Sequence, residues 1–170
     1  MNMIINDPHA PRYTDRLLPE YRHLPFQNPH PFLDEDGHSF GEQLTPAESF
    51  AADNWMECEE YLYSIDLFNH GYWWEAHERL KHVSTGAGRK SEAGVFIQGL
   101  IQISAALLKY SMEEYAPAKT LAELGLGNLA IDTNPFLGID VVALKRAVLD
   151  CLAAPENGYP SLRLAGIRLH

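Results

Sequence analysis

Residues Phe68 to His82 read FNHGYWWEAHERLKH, and the reading of this stretch decides the fold. Asn69-His70-Gly71 marks the stop of a helix, because glycine tolerates the left-handed backbone with which helices end. A second helix then starts at Tyr72 and runs to about Val83. At roughly 100° per residue, Trp73, Ala76, Leu80 and Val83 share one face, and His77 lies on its flank. Glu75, Glu78 and His82 fall on the other side at spacings of three and four. The stretch is therefore an antiparallel helix hairpin with an apolar and a polar face.

Upstream, Thr45-Pro46-Ala47-Glu48 carries a capping threonine, a proline at the first helical position and a glutamate that can reach back to the cap amide. The first helix is expected from there to Phe68, with a break near Asp53-Asn54. Downstream, Ser84 to Lys90 (STGAGRK) reads as a flexible connector and Ser91 to Tyr110 as a third helix. Phe96, Leu100, Ile103 and Leu107 form one stripe on it, and Ile97, Ile101, Ser104 and Leu108 a second beside the first. A helix covered on so many sides is the central member of a bundle. Gly99, Ala105 and Ala106 admit a close neighbour, while Gln98 and Gln102 need partners, since an unpaired buried amide costs about 1–3 kcal/mol. Pro117 opens a fourth helix toward Ile131; its Gly125 and Gly127 each cost about 1 kcal/mol against alanine. After the turn at TNPFLG, Asp140 caps a fifth helix whose inward stripe is Val141, Leu144, Val148 and Cys151 or Leu152. No strand pattern appears, and SLRLAGIRLH is at most extended.

The expected fold is all-α: a single bundle of about five helices over residues 45–155, an irregular Pro/His-rich N-terminal arm over 1–44 packed on it, and an extended tail over 156–170. The arm holds six of the eleven prolines and four of the eight histidines. Tyr13, Leu17, Leu18, Tyr21, Leu24, Phe26, Phe32 and Phe40 are too many large apolar groups for a solvated tail, so the arm is expected to lie over the helices.

A chain of 170 residues with 46% apolar content can bury one sizeable core. The net charge of −10 and the scattered basic residues argue against nucleic acid and against an anionic membrane surface as partners. Cys58 and Cys151 stand far apart in no metal-ligand spacing, which fits free thiols in a reducing cytoplasm. The N-terminus lacks a charged leader and an apolar segment, and VFIQGLIQISAALL is too short and too interrupted to span a bilayer. A cytoplasmic protein is expected.

Site candidates concentrate on the hairpin. Glu78 and His82, four apart, can converge as carboxylate and imidazole on a divalent metal, with Glu75 one turn earlier and His77 as ligand or acid-base group. Further donors would come from Gln98, or from His30 and His38 if Asn28 to Ser39 (NPHPFLDEDGHS) folds back over the helix. Asn69, Trp74 and Gln102 complete the candidate ligand set. In a bland alternative, Asn69, His77 and Gln98 form an internal hydrogen-bond network that only holds the hairpin. The polar face equally reads as solvated, with Glu75 and Arg79 an ordinary pair one turn apart. A HExxH motif is absent, because Lys81 stands where its second histidine would be, and no nucleophile elbow, phosphate loop or dinucleotide fingerprint occurs.

At LFNHGYWWEAHERL, FIQGLIQISAALL and GIDVVAL the sequence resembles the bacterial and archaeal family catalogued as domain of unknown function 309. The match runs through Phe68, Asn69, Gly71, Trp73 or Trp74, Glu75, His77, Glu78, Gln98, Gly99 and Gln102, and NPHPFLDEDGHS resembles an element ahead of the core in longer members. Lys81 and Ser84 depart from the family's usual glutamate and tryptophan. The resemblance implies an all-helical bundle of about five helices and no assigned activity. The hairpin is also similar to one tetratricopeptide unit, but a stable array needs about three. Two functional readings follow. One is a non-enzymatic protein-interaction or self-associating module, motivated by Trp55, Tyr61, Tyr63, Tyr72, Trp73 and Trp74, more helix-face aromatics than a small core hides. The other is a metal- or small-ligand-binding pocket, hydrolytic in one version, around His77, Glu78 and Gln98 under the arm.

Overall fold

A computed structural model of the chain describes residues 9–46 and 50–169. Among them are five α-helices and no β-strand: α1 (Glu59–Asn69), α2 (Trp73–Ala87), α3 (Glu92–Ser111), α4 (Tyr115–Asn128) and α5 (Val141–Ala153). The all-α expectation holds. The reversal after α1 also forms as read: Gly71 adopts φ +78°, Tyr72 N donates to Leu67 O at 2.9 Å, and Gly71 N donates to Phe68 O at 3.2 Å. Those two bonds satisfy carbonyls that the helix end would leave orphaned.

α3 packs between α2 and α4, and α1 packs on α2. Phe96, Ile97, Leu100, Ile103 and Leu107 of α3 are buried to within 1% of their surface, so both apolar stripes do face neighbours. By length and composition α3, 20 residues long, could cross a membrane, a test that a buried core helix also passes; 72% of its most apolar window is buried inside this fold. Small residues set the α3–α4 crossing. A Cβ on Gly99 would lie 2.9 Å from Gly125 O, and one on Gly125 would lie 2.9 Å from Gly99 O. Two glycines therefore let two backbones touch.

Element ends differ from the sequence reading in several places; α4, read as opening at Pro117 and running toward Ile131, spans Tyr115–Asn128. The first helix begins at Glu59, not at Thr45; Thr45 and Pro46 are not helical, and the rest of that capping box, Ala47-Glu48, lies outside the described residues. The expected break at Asp53-Asn54 is instead the approach to a single 3-10 turn, Trp55–Glu57, that precedes α1. α2 continues past Val83 to Ala87, because buried Ser84 donates to Gly94 O at 3.2 Å and ties that last turn to the start of α3. Ser91 caps α3 through Gly94 N at 3.0 Å, and Asp140 caps α5 through Ala143 N at 3.1 Å.

The arm is anchored by buried polar groups as much as by apolar ones. Asp66, fully buried on α1, accepts from Tyr13 N at 2.6 Å, Thr14 N at 3.0 Å and Thr14 Oγ1 at 2.6 Å. Tyr13 is buried in the core and Leu18 and Leu24 pack against it, whereas Leu17, Phe26 and Phe40 are exposed. The C-terminal segment lies beside the arm, where Leu164 N donates to Tyr13 Oη at 2.7 Å, and reaches α2, where the Tyr159 ring lies tilted against Trp73 with centroids 4.8 Å apart.

Candidate functional site

The hairpin residues singled out by sequence separate into different environments. Asn69 ends α1 almost fully buried; its amide donates to Leu162 O at 2.9 Å and Pro11 O at 3.3 Å, and its oxygen accepts from Leu162 N at 2.6 Å. It clamps arm and tail together, and its bonds go to backbone rather than to His77 or Gln98. His77 is 29% exposed, and its Nδ1 lies 3.1 Å from Oε1 of its neighbour Glu78, which also takes Lys81 at 3.2 Å. Burial works to raise the Glu78 carboxyl, but hydrogen bonds from His77 and Lys81 outweigh it and hold the group below its ordinary value.

Gln98 is exposed, so its assignment as a buried partner of His77 fails: with Val95 it faces outward from α3. Gln102, one turn on, is half-buried and accepts from Asn128 of α4 at 2.7 Å. His30 and His38 do come back over α2, but not to His77 or Glu78. His30 sits edge-on to Trp74 at 5.2 Å between centroids, and His38 meets Glu75. Among the described residues no three His, Cys, Asp or Glu side chains are grouped to hold a metal, so the set His77, Glu78, His30 and His38 is not assembled.

What the fold does assemble is a cluster around Glu75. Periodicity put this residue on a polar face, yet the arm covers that face and leaves Glu75 4% exposed. Its Oε1 accepts from His23 N at 2.7 Å and faces His38 Nε2 at 2.9 Å. A carboxylate only accepts, so Nε2 is the donor, and in a neutral ring Nδ1 is left to accept from Ser39 Oγ at 2.9 Å. The result is a hydrogen-bond chain Ser39–His38–Glu75 able to pass a proton. Oε2 of Glu75 is buried and has no partner.

Arg79, one turn further along α2, does not complete the expected pair with Glu75. It forks onto Glu42 of the arm at 2.8 and 3.1 Å and onto Glu60 of α1 at 3.1 Å. Arg16 of the arm also bonds Glu60 and lies 4.0 Å over the Tyr63 ring, whose hydroxyl donates to Leu17 O at 2.8 Å. Burial works to raise the Glu60 carboxyl, and the guanidiniums of Arg79 and Arg16 override it and hold it below its ordinary value. Burial of Arg79 opposes its charge, but Glu42 and Glu60 push its pKa up. Burial dominates at Tyr63 and raises the phenol.

Between this cluster and the arm lies a half-open cleft of about 450 Å³, lined by Leu18, Phe32, His38, Glu42, Glu75 and Arg79 among others. That volume is in the range of small-ligand sites. Of its polar residues, Glu75 and His38 were read from the sequence; Arg16, Ser39, Glu42 and Tyr63 were not. A charged residue in the apolar run YLYSIDLFN was the available signal for Asp66, but nothing local links Glu42 or Arg16 to α2.

Fold and site together define an all-helical domain with a strapped hairpin. Residues 61–121 match the family model described as Domain of unknown function (DUF309), so the resemblance read from the motifs stands over the hairpin, α3 and the start of α4. No curated protein matches the chain.

Proposed function

We propose that the arm and the α1–α2 hairpin form a binding pocket for a small polar molecule, with Glu75 as its hydrogen-bond acceptor. One observation carries this reading: Glu75, which lines a ligand-sized cleft, is 4% exposed and keeps its Oε2 buried without a partner. An unpaired buried polar group costs about 1–3 kcal/mol, and a bound donor removes that cost. The interaction-module reading loses its motivation, because Trp55, Tyr61, Tyr63 and Trp73 are buried in the protein's own core and Tyr72 and Trp74 pack against it.

The test is a thermal-shift panel of alkyl amines, amides, alcohols, carboxylates and phosphates on the wild-type chain and on Glu75→Gln. At least one class raises the wild-type Tm in a dose-dependent way and loses that effect in the variant. A panel in which no class separates the two proteins overturns the pocket.

A further inference from the structure

The geometry points to a small organic ammonium, a short alkylamine or diamine, as the ligand of the Glu75 cleft. This rests on the pocket reading above and narrows it to one chemistry. Three features carry the choice.

First, the free site is an acceptor. Glu75 Oε1 is engaged by His23 N and His38, and Oε2 by nothing, so the ligand must bring an N–H or O–H donor.

Second, the cations of the cleft are already occupied. Arg79 is forked by Glu42 and held by Glu60, and Arg16 is bonded to Glu60. An anionic ligand would have to displace those carboxylates. The lining carries Glu20, Glu42 and Glu75 against only Arg16 and Arg79, so its carboxylates outnumber its guanidiniums and a cation is the complementary charge. Glu75 offers a single free oxygen and no three metal-ligating side chains converge among the described residues, so the cation is one that brings its own donors. An ammonium supplies three N–H groups and a charge-assisted interaction with the Glu75 carboxylate.

Third, the rest of the wall suits an aliphatic body. Leu17, Leu18, Pro19 and Phe32 line the cleft beside the polar groups. The cleft volume of about 450 Å³ is in the range of small-ligand sites, room for a chain of several carbons. Glu20, on the arm side, supplies a further carboxylate in the lining for the second ammonium of a diamine.

The experiment titrates 15N/13C-labelled full-length protein with n-butylamine, 1,4-diaminobutane, 1-butanol and butyrate, following the His38 ring signals by NMR and heat by calorimetry. The amines are expected to move the His38 signals saturably and to bind more tightly than butanol or butyrate. Glu75→Gln, which keeps an acceptor oxygen for the arm but removes the charge, is expected to weaken amine binding by roughly 10- to 100-fold. The His38 shift in the wild-type chain needs no variant, so a misfolded Glu75→Gln leaves the proposal decidable. If butanol or butyrate moves the His38 signals as readily as the amines, the ammonium inference falls while the pocket stands. If none of the four moves them, the ammonium inference falls, and the broader panel above decides the pocket.

Discussion

Gly125 and Gly127 look alike in the sequence, two glycines in one helix, and the structure predicts opposite outcomes when each becomes alanine. A Cβ at 127 meets nothing within 4 Å on an exposed face, so Gly127→Ala should recover part of the helix propensity, about 0.5–1 kcal/mol. A Cβ at 125 would stand 2.9 Å from Gly99 O and from Ile103 Cγ1, and 3.2 Å from Gln102 Cβ. Ordinary contact begins near 3.4 Å, so α3 and α4 must part by about half an ångström where backbone faces backbone. Overpacking of this kind costs about 1–3 kcal/mol, and the same propensity gain offsets up to about 1 kcal/mol of it. The propensity gain is common to both, so the two variants should differ by the overpacking cost, about 1–3 kcal/mol. For a domain of this size that is a Tm gap of several degrees, at about 2–4 °C per kcal/mol. Urea denaturation followed by circular dichroism measures both, with the m-value checking that the unfolded state is unchanged. Equal stabilisation by the two alanines would refute the close α3–α4 crossing.

Two further outcomes test the strapped hairpin. Asp66→Asn gives three donors on Tyr13 and Thr14 one acceptor oxygen and an opposing NH2 group; it should cost roughly 2–4 kcal/mol and open the arm to limited proteolysis before the helices unfold, and an arm as resistant as wild type would contradict the anchoring. Acidification should release the Glu60 cluster. Arg79 and Arg16 hold the folded Glu60 carboxyl below its unfolded value near 4.5, so its stabilisation is present above that pH and is lost progressively as pH falls below it through the lower folded value. The stability gap between wild type and Glu60→Gln should be full at pH 7 and narrow below pH 4.5, and a gap independent of pH would count against the ion pairs.

The helices, their order and the reversal at Asn69 to Gly71 were legible because each rests on local chemistry. Apolar spacing, Ser91 and Asp140 as caps and a glycine at a helix end act within one or two turns. The inward stripe of α5 at Val141, Leu144, Val148 and Cys151 is buried as its periodicity implied. Gln98 shows where such reasoning stops. Periodicity can divide α3 into faces, but the two apolar stripes left too narrow an arc to say which remaining positions stayed outside.

Glu75 shows the other boundary. A helix-face argument assigns it to water, and its burial comes from an arm that crosses α2 from more than thirty residues away, as the His38 contact at a separation of 37 residues shows. Sequence alone determined that this chain folds as helices around α3 with a hairpin before it, because burial of periodic apolar faces has few solutions. Only the tertiary structure decided which polar groups meet. Ser39, His38 and Glu75 converge, and His77 is left at the edge, because a side-chain contact between distant segments depends on the path of an irregular arm that no local pattern encodes.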